Sequence, residues 1–249
     1  MNEARRQAVV TGGGSGIGLA IARHLAGAGC AVTLLGRDQV RLEAAAKSIS
    51  GARAVPCDVA DARQVAQTFS GIGPVDILVN NAGAVETAPF HKTPLEAWRR
   101  MLEVNVMGAV HCTNAALPGM RGQPFGRIIN IASTAAVKGY AYASAYSASK
   151  HALLGLTRAL ALELASTSIT VNAVCPGYCD TALLENAVAS IAAKTGRDIA
   201  EARAQLAAAN PQGRLISPGE VAQSVVWLAS PEARSMTGQA IIIAGGEVM

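Results

Sequence analysis

Two short segments carry residue types whose spacing could do chemistry. In Tyr146-Ser-Ala-Ser-Lys150 a spacing of four places a phenol and an ammonium on one face of a helix. A phenol with a pKa near ~10 is a poor acid–base at neutral pH, and a neighbouring cation favours its phenolate. Taken alone, the pattern equally describes an ordinary surface helix. The second segment, Thr11-Gly-Gly-Gly-Ser-Gly-Ile-Gly18, lies between a β-branched run and a helical stretch. Glycines let the backbone turn sharply against a pyrophosphate, and a helix amino terminus offers free N–H groups and a positive dipole. The G-x-G-x-x-G spacing is not met, because the sixth position counted from Gly12 or Gly14 is Ile17 or Leu19. A tight strand–helix connection is the plain reading; the position at the first strand of a βαβ unit favours a nucleotide. Ser133 and Asn105, read singly, are a turn residue and a helix cap.

Other chemistries find no support. Cys30, Cys57, Cys112, Cys175 and Cys179 are scattered, and the Cys175/Cys179 pair lacks a second Cys or His pair at metal spacing. Buried thiols in a reducing compartment are expected. His24, His91, His111 and His151 have no mutual metal-binding spacing, so no metal is expected. The charge, 21 − 17 = +4, is dispersed and gives no sign of nucleic-acid binding. Met1 to Gln7 has no apolar core of a signal peptide, and the longest uncharged stretch, Val104 to Met120, holds Asn105, Gly108, His111, Asn114 and Pro118. A cytoplasmic protein without a membrane association is expected.

The elements that must position these residues alternate. Strands are expected at Ala8–Val10, Ala31–Leu35, Arg53–Pro56, Val75–Asn80, Arg127–Ile131, Ile169–Val174 and Gln239–Ala244, with helical patterns between them. One long helix is predicted between Pro94 and Ala116, capped by Thr93 with Pro94 at its first position. Nearly continuous apolar strands alternating with helices imply an α/β fold, a doubly wound parallel seven-stranded sheet with its crevice at the strands' carboxyl ends. The 249 residues, 51% apolar and 15% charged, suffice for one large core, and no repeat or linker divides them. A single domain is expected, with Thr181 to Pro218 as a strandless insertion over the crevice.

Together these segments resemble the short-chain dehydrogenase/reductase family, over essentially the whole chain. The family's T-G-x-x-x-G-x-G turn corresponds to Thr11, Gly12, Gly16 and Gly18, its N-N-A-G motif to Asn80-Asn81-Ala82-Gly83, and its Pro-Gly turn to Pro176-Gly177. Ser133 stands thirteen residues before Tyr146, as in the family, and Asn105 lies in Val104-Asn-Val-Met-Gly108. The resemblance implies a Rossmann fold and an NAD(P)-dependent oxidoreductase with Asn105, Ser133, Tyr146 and Lys150 as the catalytic set. It implies cofactor contacts from Gly12, Ser15, Gly16, Ile17, Gly18, Arg37, Asp58, Val59, Asn81, Ala82, Gly83, Tyr146, Lys150, Pro176, Gly177, Cys179 and Thr181. Tyr146 would exchange the proton on the substrate oxygen, Lys150 would hold the ribose and favour the tyrosinate, Ser133 would donate to the oxygen, and Asn105 would anchor a relay water.

Cofactor choice turns on the end of the second strand. Gly36 stands where NAD-users carry an acid, and Arg37 follows, which favours NADP(H) over NAD(H). Ser15, where many NADP-users carry a base, and Asp38, a candidate ribose ligand, argue the other way. Family members of this length are commonly homotetramers pairing through the Tyr146 helix and the last strand, and that helix carries Ala152, Leu153, Leu156, Leu160 and Leu164 on several faces. In the insertion, Leu183, Leu184, Val188 and Ile191 recur at helical spacing, so its apolar face is expected to line the substrate pocket. Lys194, Arg197, Arg203 and Arg214 are offset there by Glu185, Asp198 and Glu201. Tyr140 and Tyr142 read equally as pocket lining and loop packing. Asn210-Pro-Gln-Gly-Arg214 and the Ala244-Gly-Gly-Glu-Val-Met249 ending look similar to family members acting on 3-oxoacyl or 3-hydroxyacyl thioesters. Reversible reduction of such a thioester is the expected reaction; the alternatives are a free secondary alcohol or cyclic ketone and, more remotely, a non-catalytic nucleotide binder.

Overall fold

The computed structural model describes residues 5–249, apart from the side chains of Asn186, Ser190 and Lys194. Of the segments read above, Met1–Ala4 and the Lys194 charge thus lie outside the described residues. Seven strands form one sheet: β1 (Gln7–Thr11), β2 (Ala31–Gly36), β3 (Arg53–Pro56), β4 (Ile77–Asn80), β5 (Gly126–Ile131), β6 (Ile169–Pro176) and β7 (Ala240–Ile243). The spatial order is β3-β2-β1-β4-β5-β6-β7, and every neighbouring pair is parallel. The order reverses beside β1, so the crevice opens over the carboxyl ends of β1 and β4. The strand runs are apolar throughout because helices cover both faces. Val10, Leu34, Val79 and Ile129 face one layer with Ile21 and Leu25 of α1 (Gly16–Gly27) and Val221 and Val225 of α9 (Pro218–Leu228). Val9, Leu35, Leu78 and Ile128 face the other, against Val65 and Phe69 of α3 (Ala62–Ile72) and Cys112 and Met120 of α5 (Gly108–Met120).

Helix starts follow local capping chemistry. Asp38 accepts from Arg41 N to open α2 (Gln39–Lys47), and Asp61 accepts from Arg63 and Gln64 N to open α3. Ser217 and Glu220 form a capping box, with Pro218 at the first helical position of α9. The long helix predicted between Pro94 and Ala116 is present as an unbroken helical run from Leu95 to Met120. Pro94 is extended and caps α4 (Leu95–Leu102) without a side-chain bond, so Thr93 is not the cap and Pro94 is not in the helix. A π-helical turn over Glu103–Met107 then joins α4 to α5. The wider turn leaves room at Asn105, whose side chain turns away from its own helix to the backbone of Ala84.

The remaining helices are α6 (Ser144–Glu163), α7 (Ala182–Thr195) and α8 (Ile199–Ala207). Leu184 and Val188 of α7 are buried against Ala202 and Leu206 of α8, with Tyr178 and Ile191 beside them, whereas Leu183 is exposed. The expectation that this stripe lines a pocket is therefore corrected: two amphipathic helices satisfy one another, which removes more apolar surface from water than an open cleft could. Among the described residues, no helix is long and apolar enough to cross a membrane, and no group of three metal-ligating side chains is gathered. All five cysteines are free thiols.

Candidate functional site

The glycine turn is held by a lash between β1 and β4. Thr11 Oγ1 accepts from the backbone N–H groups of Asn81 and Ala82, both at 2.9 Å. Asn81 Nδ2 returns a bond to Thr11 O at 2.9 Å and another to Gly12 O at 3.3 Å. Gly12 sits at φ +64°, and a Cβ added to Gly18 would stand 2.3 Å from Gly12 O. No larger residue fits at Gly18, so α1 starts directly against the turn. The Ser15 side chain makes no capping bond, which leaves the first N–H groups of α1 without a side-chain acceptor. Gly16 (φ +53°) faces the Thr181 methyl across the crevice: a Cβ there would lie 3.3 Å from Thr181 Cγ2. Thr181 itself caps α7. A cradle of backbone with no side chain in it, at a helix amino terminus, fits a pyrophosphate-bearing nicotinamide dinucleotide.

The other residues expected at the cofactor are distributed along the same edge. Asp58 lies partly buried after β3, and its carboxylate accepts from Ala60 N at 3.0 Å. Val59 is buried, packs on Gly108 and receives the His111 ring at its carbonyl, 2.9 Å away. Gly36 ends β2, and Arg37 follows it exposed. Pro176 closes β6 and Gly177 binds back to Ile243 O. Cys179, by contrast, is buried in the α1–α9 layer and bridges Ile216 through its backbone, so its thiol belongs to the core.

The chemistry-bearing side chains converge where β4, β5 and β6 end. Tyr146 and Lys150 occupy one face of the first turns of α6, with Lys150 Nζ 5.8 Å from the Tyr146 ring centre. Lys150 is buried and donates to Ile131 O at 2.9 Å. Burial pulls its pKa down to about 8. Burial also raises Tyr146, while the adjacent Ser133 hydroxyl pulls it down. Ser133 lies extended after β5, and its hydroxyl accepts from Ala135 N at 3.1 Å. Asn105 reaches the same point from the π-turn. Its Oδ1 accepts from Ala84 N at 2.8 Å and its Nδ2 donates to Ser149 Oγ at 2.9 Å. A Cβ on Gly83 would meet Asn105 Oδ1 at 3.2 Å and Lys150 Nζ at 3.6 Å, so that glycine is what lets the two approach.

Three participants in this arrangement escape a reading of the chain alone. Ser149 links Asn105 to Tyr146 O, to which it donates at 2.7 Å. Arg41 packs its stem against Gly14, the Cβ position of which lies 3.5 Å from Arg41 Cγ. Its signal was available, since it stands one turn into the helix that Asp38 caps. Glu247 arrives from the end of the chain beside Gly177 and Tyr140, and nothing in its local sequence announces that.

The family model for the short chain dehydrogenases matches residues 6–192. An acetoacetyl-CoA reductase of Rhizobium meliloti (strain 1021) is 40% identical over 248 residues, covering 97% of this chain and 98% of its own. A D-beta-hydroxybutyrate dehydrogenase of Cupriavidus necator is 37% identical over 255 residues, covering 98% of each. The crystal structure of a single-substitution variant of the actinorhodin polyketide ketoreductase with NADPH superposes with a TM-score of 0.94 at 37% identity, over 98% of this chain and 97% of that one. With the family model matched over most of the chain and these relatives covered almost end to end, the chain belongs to the short-chain dehydrogenase family as one of its nicotinamide-dependent oxidoreductases.

Proposed function

We propose that the protein reduces a 3-oxoacyl thioester to the 3-hydroxy compound, reversibly, with NADP(H). The observation that carries this reading is the convergence of Tyr146, Ser133, Lys150 and Asn105 opposite the glycine cradle. When bound, the nicotinamide supplies or takes up hydride. The Tyr146 hydroxyl gives or takes the proton on the substrate oxygen, and Ser133 donates a hydrogen bond to that oxygen as charge develops. Lys150, with a pKa of about 8, exchanges a proton near neutrality and presents its ammonium to the ribose. Asn105, fixed by Ala84 and Ser149, holds the relay water beside Lys150.

NADP(H) is supported by Arg37, exposed after β2, and by Arg41, packed on the glycine turn. Asp38 is spent on capping α2 and pairing with Arg41 at 3.5 Å, which weakens its candidacy as a ribose ligand. The thioester is supported by the acetoacetyl-CoA reductase relative; a free hydroxy acid, ketone or alcohol is the competing substrate class. We read the whole chain as one catalytic domain with α7 and α8 over the cleft, assembling as a tetramer. Leu162 of α6 is 80% exposed and β7 is a half-exposed edge of alanine and three isoleucines, surfaces suited to a second copy. Five free thiols suit the reducing cytoplasm.

The test is NADPH and NADH oxidation with acetoacetyl-CoA against simple ketones. Turnover of acetoacetyl-CoA with a kcat/KM preference for NADPH is expected, and Tyr146→Phe should lower turnover about a thousandfold while leaving cofactor affinity within threefold. Turnover of ketones alone would overturn the thioester assignment. A tenth of the activity left in Tyr146→Phe would overturn the role of the phenol.

A further inference from the structure

Thr181 holds an exacting position with weak local support. Its Cγ2 stands over the glycine turn, 3.3 Å from where a Cβ on Gly16 would lie. Its hydroxyl accepts from Leu184 N at 3.4 Å and donates to Cys179 O at 3.4 Å, both long for hydrogen bonds. The chain entering Thr181 is anchored by its backbone: Cys179 bridges Ile216, and Asp180 N donates to Ile216 O at 2.9 Å. The chain leaving it is anchored by Arg203 of α8. Arg203 Nη2 donates to Asp180 Oδ1 at 2.7 Å, and its Nη1 donates to the Glu185 carboxylate. One guanidinium thus grips the residue before Thr181 and a residue in the first turn of the helix that Thr181 caps.

A planar guanidinium serves two carboxylates in fixed directions, which an ammonium, as a point charge, does not. Exposed ion pairs contribute little to global stability, so this fork acts locally. Among the described residues, it makes the only side-chain hydrogen bonds from α8 to the segment 178–185. With it in place, α7 leaves the sheet at an angle that keeps Thr181 against Gly16. We propose that Arg203 is a positioning residue for the cofactor: it holds Thr181 and the start of α7 over the glycine turn, closing the open side of the cradle. This rests on the reading of that turn as the pyrophosphate cradle and is independent of which ketone is reduced. Affinity for a ligand that needs Thr181 in place falls in proportion to the fraction of molecules that hold it there.

Fluorescence titration of the protein with NADPH and with NADH reads that fraction without turnover. Arg203→Met should weaken binding of both about fivefold, with the melting temperature within about 2 °C of wild type. Asp180→Asn, which breaks the same bond from its other end, should weaken it as much. Thr181→Ala should also weaken binding, and adding Arg203→Met to it should bring no more than a further factor of about 1.5, because Arg203 acts through Thr181. A merely structural role for Arg203 would be matched by Val188→Ala, which loosens the α7–α8 pair one turn further on and leaves the fork intact. That variant should bind within about twofold of wild type. Normal affinity in Arg203→Met and Asp180→Asn, or losses that multiply in the double variant, overturns the proposal. If Gly18→Ala then binds normally as well, the cradle reading falls with it; if Gly18→Ala alone is impaired, only the latch falls.

Discussion

The two walls of the crevice are made differently. On the side of β1 and β4 the surface is backbone: glycines that exclude side chains, a helix start and a lash between Thr11 and Asn81. On the side of the 134–143 loop, the Pro176-Gly177 turn and the chain's end it is side chains: Tyr140, Tyr178, Lys138 and Glu247, drawn from three separate segments. A backbone cradle suits what all dinucleotides have in common, so its composition is narrowly constrained. A side-chain wall binds what distinguishes one substrate from another, so each member can change with only local repacking.

Four substitutions test that division, in falling order of effect. Gly18→Ala drives a methyl into Gly12 O, which cannot move without breaking the Asn81 lash. It should cost about 3 kcal/mol in urea unfolding and at least a hundredfold in cofactor affinity by fluorescence titration. An unaffected affinity would mean that the cradle is looser than its geometry. Lys150→Met should abolish most turnover and yet stabilise the fold at pH 7 by about 2 kcal/mol, because a desolvated ammonium is removed. The native pKa of about 8 lies below the unfolded value near 10.4. The wild type accordingly gains stability as pH rises through that interval, and the advantage of the variant should fade across it. A gain that stays constant to pH 10 would contradict the burial argument. Arg37→Ala should raise the KM for NADPH about tenfold and leave that for NADH within twofold, which steady-state kinetics would read directly. Val188→Ala, confined to the α7–α8 pair, should lower stability by about 1 kcal/mol in the same urea assay with cofactor affinity unchanged. Loss of affinity there would show that the two walls are coupled.

The same division governs what was legible in the sequence. The glycine turn, Asn80-Asn81-Ala82-Gly83 and the Tyr146/Lys150 pair are contiguous or one helical turn apart, so each is ambiguous alone and legible as part of an ordered set that resembles a known family. The sheet is equally legible, because strands buried on both faces must be apolar throughout. The π-turn at Asn105 is not, since Glu103–Met107 holds no proline or glycine to mark it. Asn105 read as a cap because only the distant Ala84 backbone reveals what its amide is for. The α7 stripe was recognised as a stripe but given to the wrong partner, as periodicity says that a face is buried and not against what. Glu247 lies 107 residues from Tyr140, and no pattern of period two or 3.6 spans that gap.

The strand order has a consequence for synthesis. β1 emerges first but occupies the middle of the sheet, and one of its two permanent neighbours, β4, ends only at Asn80. The lash that shapes the glycine turn joins positions 70 residues apart. Until that length of chain has left the ribosome, β1 offers a bare parallel edge to any passing strand, and the cradle has no second side. Any ligand that bound only the closed cradle would favour late folding, pulling the slow, non-local pairing to completion by mass action.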